Sequence, residues 1–362
     1  MVGHKFFGPA KNLSKSLSAF AILGLVAACS SGAKNHGTSP GVASGGAAAV
    51  TSIVAESGSS GATTFEVNPT GPDTAQTPPC NGWAELCSRR YDLITFPGTH
   101  ASAANSTSPW RHPAQARSIR TQLDDSIRAL MLEIHEIDGA AVVCSSLCDD
   151  GHVPLASALS QVRGFLEDNP REVVTILLEL HLPVASVTAS FDAAGLRPLI
   201  HVPPSNAAWP TLAAMITSGQ RLVVLADDSQ GSSPQFLPLL STAWLTRSDF
   251  HRAADMNCTR ARGDASAPLM VVLHYLTGAE AAAQAGFDSD AGASADDGAD
   301  AGAADVYPDL ALATSINANP FLIERMRGCE AEHARRINIV AVDFYDSSDV
   351  VTTSQKLNGL AP

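Results

Sequence analysis

The chain has 362 residues, 45% hydrophobic and only 6% aromatic, enough to bury a sizeable core of Ala, Leu, Val and Ile in one large domain or two ordinary ones. Its formal net charge is −13, from 36 acidic and 23 basic residues. That balance argues against nucleic acid as a partner, because binding it takes clustered Lys and Arg, and disfavours unaided docking on an anionic membrane for the same reason.

At the amino terminus Lys5, Lys11 and Lys15 precede an apolar run, Leu17 to Ala28, that ends at Cys29. The run is too short to span a bilayer and has the layout of a signal peptide. Small residues directly before a cysteine resemble the lipobox of bacterial lipoproteins, which implies cleavage before Cys29 and acylation there. An ordinary signal peptide with an incidental cysteine is the weaker alternative. The expectation is an exported, membrane-anchored lipoprotein, periplasmic or at the cell surface. Ser30 and Ser31 after the cysteine, in place of aspartate, favour the outer membrane by analogy with lipoprotein sorting.

Residues 29–79 are dominated by Gly, Ser, Ala, Thr and Pro, and cannot bury enough surface to offset their ordering entropy. They read as a disordered tether behind the lipidated Cys29, with the folded part at 80–362. Six cysteines follow Cys29, an even count that favours disulfides in an exported chain. Local spacing suggests Cys80–Cys87 and Cys144–Cys148, leaving Cys258 with Cys329. A zinc knuckle is the alternative, but no paired C-x-x-C is present.

In chain order, Tyr91 to Phe96 predicts a short strand closed by Pro97-Gly98, and Arg128 to His135 a second with Leu130, Leu132 and Ile134 on one face. Leu155 to Asp168 places Leu155, Ala158, Leu159, Val162, Phe165 and Leu166 at helical spacing, ended by Asn169-Pro170. Val173 to Leu178, Arg221 to Ala226, Leu269 to Leu273 and Ile337 to Val342 are continuous apolar runs of buried-strand type. Such runs alternating with helical segments predict an α/β fold, specifically a TIM-type β/α barrel of distorted form. An open doubly wound sheet is second, since no Gly-rich phosphate loop follows any strand. Residues 287–309 carry seven aspartates and no basic residue. Their spacing fits no EF-hand, so they are expected to form a disordered acidic insertion.

In a parallel barrel the chemistry gathers at the carboxyl ends of strands. His100 follows the first strand, Glu133 lies in the second, Glu179 ends the third and Asp343 ends the last. A histidine with several carboxylates can supply a general base and a charge or metal clamp. Any one of them alone is more simply a satisfied structural polar group.

The stretch Cys80-Asn-Gly-Trp-Ala-Glu-Leu-Cys87 through Phe96-Pro-Gly-Thr-His100-Ala101 resembles the opening of phospholipase C-like X domains, which run from paired cysteines to a strand and Gly-Thr-His-Asn. Gln122-Leu-Asp-Asp-Ser-Ile-Arg128 is similar to their Q-L-x-x-G-x-R turn. Cys144-Ser145-Ser-Leu-Cys148 resembles Cys-His-x-x-Cys, Phe165 to Glu179 their F-L-x-x-N-P-x-E-V-V helix and strand, and Asn338 to Tyr345 the closing strand. From about Cys80 to Asn358 the chain is thus similar to the X domain of phosphatidylinositol-specific phospholipase C.

That resemblance implies a phosphoric diester hydrolase in which one histidine assists attack of the inositol 2-hydroxyl and a second protonates the leaving group. His100 matches the first. The second falls on Ser145, and serine is no general acid near neutral pH. The asparagine after the first histidine, a calcium ligand in metal-dependent members, is Ala101. Glu133 and Glu179 match two further ligand positions and imply Ca2+ there. Met131 and Leu273 replace another acid and another asparagine. His135, on the face of Glu133, and His152 match no family catalytic position. Two readings result: a hydrolase of an inositol phospholipid or related phosphodiester with a degenerate site, and a weak or inactive barrel lipoprotein that binds a phosphorylated or polyol ligand. A third, glycerophosphodiester hydrolysis, lacks its His-Arg-Gly start. Either of the first two is expected to be a monomer that meets the membrane through its lipid.

Overall fold

A computed structural model describes residues 78–145, 148–203, 207–250, 252–276 and 307–360. The signal peptide, Cys29, nearly all of the tether and residues 287–306 of the acidic insertion lie outside these.

Among the described residues eleven strands form one sheet: β1 (Phe96–Thr99), β2 (Ala129–Ile137), β3 (Ala140–Val143), β4 (Val153–Pro154), β5 (Val174–Leu180), β6 (Leu222–Ala226), β7 (Leu237–Pro238), β8 (Ala243–Thr246), β9 (Arg260–Arg262), β10 (Leu269–His274) and β11 (Ile339–Val342). Eight of them, β1, β2, β5, β6, β7, β8, β10 and β11, pair in parallel in chain order, and β11 returns to β1. The path breaks between β7 and β8, which are linked only by the one-turn helix α5 (Leu239–Thr242). This is a β/α barrel with one open seam. The β3–β4 hairpin extends β2, turning at Asp138 and Gly139, both at positive φ, and β9 pairs antiparallel with β8.

Helices α1 (Ile119–Asp124), α2 (Leu155–Asp168), α3 (Val184–Ala193), α4 (Leu212–Ser218), α6 (Leu310–Asn317), α7 (Phe321–His333) and α8 (Val350–Leu357) connect the strands. Each start has a physical cause where a cap is present: Ser118, Thr211 and Asp309 accept from the backbone N–H three residues on. Asp309, the last residue of the acidic stretch, therefore begins α6. All six apolar residues expected on the inner face of α2 are buried. No helix among the described residues is long and apolar enough to cross a membrane.

The core has two compartments. Leu130, Leu132, Ile134, Ile176 and Leu178 face outward against the helices. Ala129, Leu177, Val223, Leu225, Val271 and Ala341 belong to a second cluster that fills the barrel interior. Inward and outward residues alternate because successive side chains on a strand point to opposite faces. Gly98 sits where its neighbours crowd the strand: a Cβ there would lie 3.1 Å from both Ala129 Cβ and Ile339 Cγ2.

The first strand differs from its sequence expectation. Tyr91–Leu93 is a 3-10 turn, and Pro97 and Gly98 lie inside the strand rather than closing it. Tyr91 is drawn away by its buried hydroxyl, 2.5 Å from Thr175 Oγ1, and by its stacking on Trp209. Pro97 is tolerated because only its carbonyl is needed, accepting from Arg128 N at 2.9 Å. Below the barrel Arg128 donates to Glu172 at 2.8 Å and to the carbonyls of Leu123 and Ile127. The three disulfides, Cys80–Cys87, Cys144–Cys148 and Cys258–Cys329, pair as the spacing suggests.

Candidate active site

A cavity of about 170 Å³ opens at the carboxyl ends of the strands, and residues of β2, β5, β8, β9 and β10 line it together with His100. Both halves of the sheet therefore face one space.

His100 leaves β1 with its backbone N–H donated to Val342 O at 2.9 Å. Gln115 clamps the same corner, its Nε2 donating to the carbonyls of His100 at 2.8 Å and Val342 at 3.0 Å. The His100 Nδ1 lies 2.9 Å from Asp343 Oδ1. Asp343 is 4% exposed and its main-chain carbonyl accepts from Asn317 Nδ2 at 2.7 Å, which anchors the backbone that carries the carboxylate. A buried carboxylate against Nδ1 puts the ring proton there and leaves Nε2 as an acceptor. Tyr275 stacks on one face of the imidazole, with ring centroids 3.8 Å apart. Burial pushes the Tyr275 phenol well above its ordinary pKa, so it stays neutral.

Glu133 and Glu179 are direct neighbours in the β2–β5 register and both line the cavity. Neither is isolated. Glu133 Oε1 is 2.9 Å from His135 Nε2 and 3.0 Å from His181 Nε2, and the two imidazoles stack with centroids 4.1 Å apart. Glu179 Oε1 accepts from Arg262 Nη1 at 3.3 Å, while Arg262 Nη2 donates to Asp227 at 2.8 Å.

Ala101, Met131, Ser145 and Leu273 all line the same cavity. Ala101 has φ 43°, a left-handed backbone that Asn or Gly adopts far more readily than Ala. His152 is not among the lining residues; it is exposed and its Nδ1 lies 3.3 Å from the Cys148 carbonyl. His274 is fully buried, with Nε2 3.0 Å from the Ile316 carbonyl and Nδ1 2.8 Å from Arg325 Nη1. Burial and the neighbouring guanidinium lower its pKa to about 3.

Sequence reasoning therefore brought together His100, Asp343, Glu133 and Glu179, and missed Arg262, Asp227 and His181. For His181 a signal existed, since it stands two residues past Glu179 and so on the same strand face. Arg262 sits on a three-residue strand with no apolar pattern, and nothing marked it.

The family profile described as PI-PLC X 1 matches residues 86–283, more than half of the chain. An "uncharacterized secreted protein" of Arthroderma benhamiae is 33% identical over 204 residues, covering 51% of this chain and 45% of that one. The "PI-PLC X domain-containing protein 1" of the same fungus is 36% identical over 177 residues, 46% of this chain and 56% of its own. The chain thus spans about half the length of these curated relatives. Among solved structures, a variant of the phosphatidylinositol-specific phospholipase C from Staphylococcus aureus aligns over 76% of this chain and 95% of that one, at 15% identity and a TM-score of 0.49. On the extent of the profile match, this chain belongs to the PI-PLC X domain family.

Proposed function

We propose that the chain is a phosphoric diester hydrolase acting on an inositol phospholipid or related phosphodiester, exported and held at a membrane by lipid on Cys29. The observation that carries the activity is the His100–Asp343 pair, 2.9 Å apart, whose histidine lines the cavity. Asp343 orients the ring and stabilises the imidazolium that forms. His100 Nε2 takes the proton from the attacking hydroxyl. Arg262 lines the same cavity and supplies a guanidinium for the charge gathering on the phosphate, exchanging Glu179 for the substrate's oxygens.

Calcium, which the family resemblance implies, suits this donor set poorly. The ion takes about six to eight oxygen ligands. Ala101 and Met131 offer none, Glu133 faces two imidazoles, and Glu179 faces a guanidinium.

Among the described residues lining the cavity, His100 is the sole imidazole. That observation favours a second reading, in which the barrel binds a phosphorylated or polyol ligand and turns it over weakly or not at all. The export reading draws on the lipobox-like segment before Cys29 and on the relative named as secreted.

The test assays the full chain against phosphatidylinositol and a soluble aryl phosphodiester. Turnover that His100→Ala abolishes sustains the hydrolase. Ligand binding without turnover in the parent protein would replace it with the binding reading.

A further inference from the structure

We propose that Glu133, His135 and His181 form a binding site for a first-row divalent transition metal, zinc foremost. The inference stands apart from the reading of His100 as a base, because it concerns binding alone.

Strand register builds the site. Met131 pairs with Leu177 and Glu133 with Glu179, and His181 N donates to Ile134 O at 2.9 Å, which carries the same register one step further. His135 and His181 therefore stand side by side on one face of adjacent parallel strands, one layer above the carboxylates. Their Nε2 atoms converge on a single oxygen, Glu133 Oε1, at 2.9 and 3.0 Å. All three donor atoms lie within 4.8 Å of one another.

The dimensions suit an ion. Zinc holds nitrogen and carboxylate oxygen at about 2.0–2.2 Å, which places tetrahedral ligand atoms about 3.3 Å from each other. The present Oε1–Nε2 separations need only a few tenths of an ångström to open. Each ring would carry its proton on Nδ1 and turn the Nε2 lone pair to the metal. Two imidazoles and one carboxylate make a borderline set that prefers zinc, cobalt or copper over calcium. Three protein ligands also leave a coordination position open, as at sites that take a water or an anionic oxygen. Access is available, since the His181 side chain is 43% exposed. A competing set, His135 with Cys144 and Cys148, is removed by the disulfide that joins those two sulfurs.

The full chain, prepared without a histidine tag and stripped with chelator, is titrated with Co2+ and then Zn2+. One equivalent of Co2+ is expected to give a visible ligand-field band, displaced by Zn2+ and not by millimolar Ca2+. His181→Ala is expected to weaken Co2+ binding at least about tenfold, with unchanged circular dichroism. His181→Gln, which keeps size and polarity, should do the same, and His152→Ala should leave binding intact. Absence of a one-equivalent band, or a band of unchanged affinity in folded His181→Gln, would overturn the site.

Discussion

Tyr275 lies flat on His100, ring planes within 14° of each other, while Asp343 holds the edge of the same imidazole. One contact fixes the plane of the ring and the other its rotation within that plane. A base held this way loses little entropy when it takes up a proton. The pair reaches across the end of β11, since Tyr275 follows β10, His100 follows β1, and β11 lies between those two strands.

Asp343→Asn keeps the shape of the corner but replaces a charged, acceptor-only group with an amide that can also donate, so the Nδ1–H tautomer of His100 is no longer selected. Turnover of a soluble phosphodiester is expected to fall by roughly 10²–10⁴ with little change in KM. Steady-state kinetics on the folded variant decide it, and wild-type turnover would remove Asp343 from the proposed mechanism.

Ser145 lines the cavity where the resemblance implies a proton donor. Ser145→His is expected to raise turnover at least about tenfold, part of the roughly 10²–10⁴ that a well-positioned general acid contributes. If the folded variant gains nothing, the missing acid is not what limits the rate.

Ala101 adopts φ 43°. Ala101→Gly removes the Cβ clash of that conformation, worth about 1 kcal/mol, against a loss of similar size from unfolded-state entropy. Ala101→Asn keeps the smaller unfolded-state entropy and tolerates the left-handed region, so it is expected to stabilise the fold by about 0.5–1 kcal/mol. Paired urea unfolding curves test this, and a destabilised Asn variant would refute it.

His274 has its pKa lowered to about 3 in the folded protein. Its unfolded value is about 6.5. The unfolded chain therefore binds a proton that the folded chain refuses, and stability should fall as pH drops from about 6.5 toward 3, with a slope near 1.4 kcal/mol per pH unit from this group. His274→Gln, measured by urea unfolding at pH 7 and pH 5, is expected to lose that part of the slope. An identical slope in the variant would mean other groups set the acid limit.

Much of the barrel was legible because its strands are buried on both faces. Val174, Ile176 and Leu178 meet the helices while Thr175 and Leu177 meet the interior, so the run reads as continuous apolar sequence whichever way it faces. The helix at Leu155–Asp168 was legible because only one face is buried. The short pieces were not. β7, β9 and the β3–β4 hairpin have two to four residues each, too few to show a period, and their pairing is settled by neighbours far away in the chain. The same limit hid Arg262, whose place depends on β9 lying against β8. The strand error at Tyr91 has another origin: an aromatic with a buried hydroxyl partner overrode a locally extended pattern.

The β2–β5 ladder stacks three kinds of side chain on its inner face: Met131 and Leu177, then Glu133 and Glu179, then His135 and His181. Height along the strand is thus an address for chemistry, hydrocarbon at the floor, acid in the middle and imidazole at the rim. A slip of β5 by one residue against β2 would turn Glu179 into the packed layer beneath the helices, and a slip of two would offset every level from its neighbour. Damage to strand alignment should therefore be felt as lost chemistry well before it is felt as unfolding. Tolerance to substitution in this wall is set by the alignment of two ribbons, and the side chains that react are only its most visible readout.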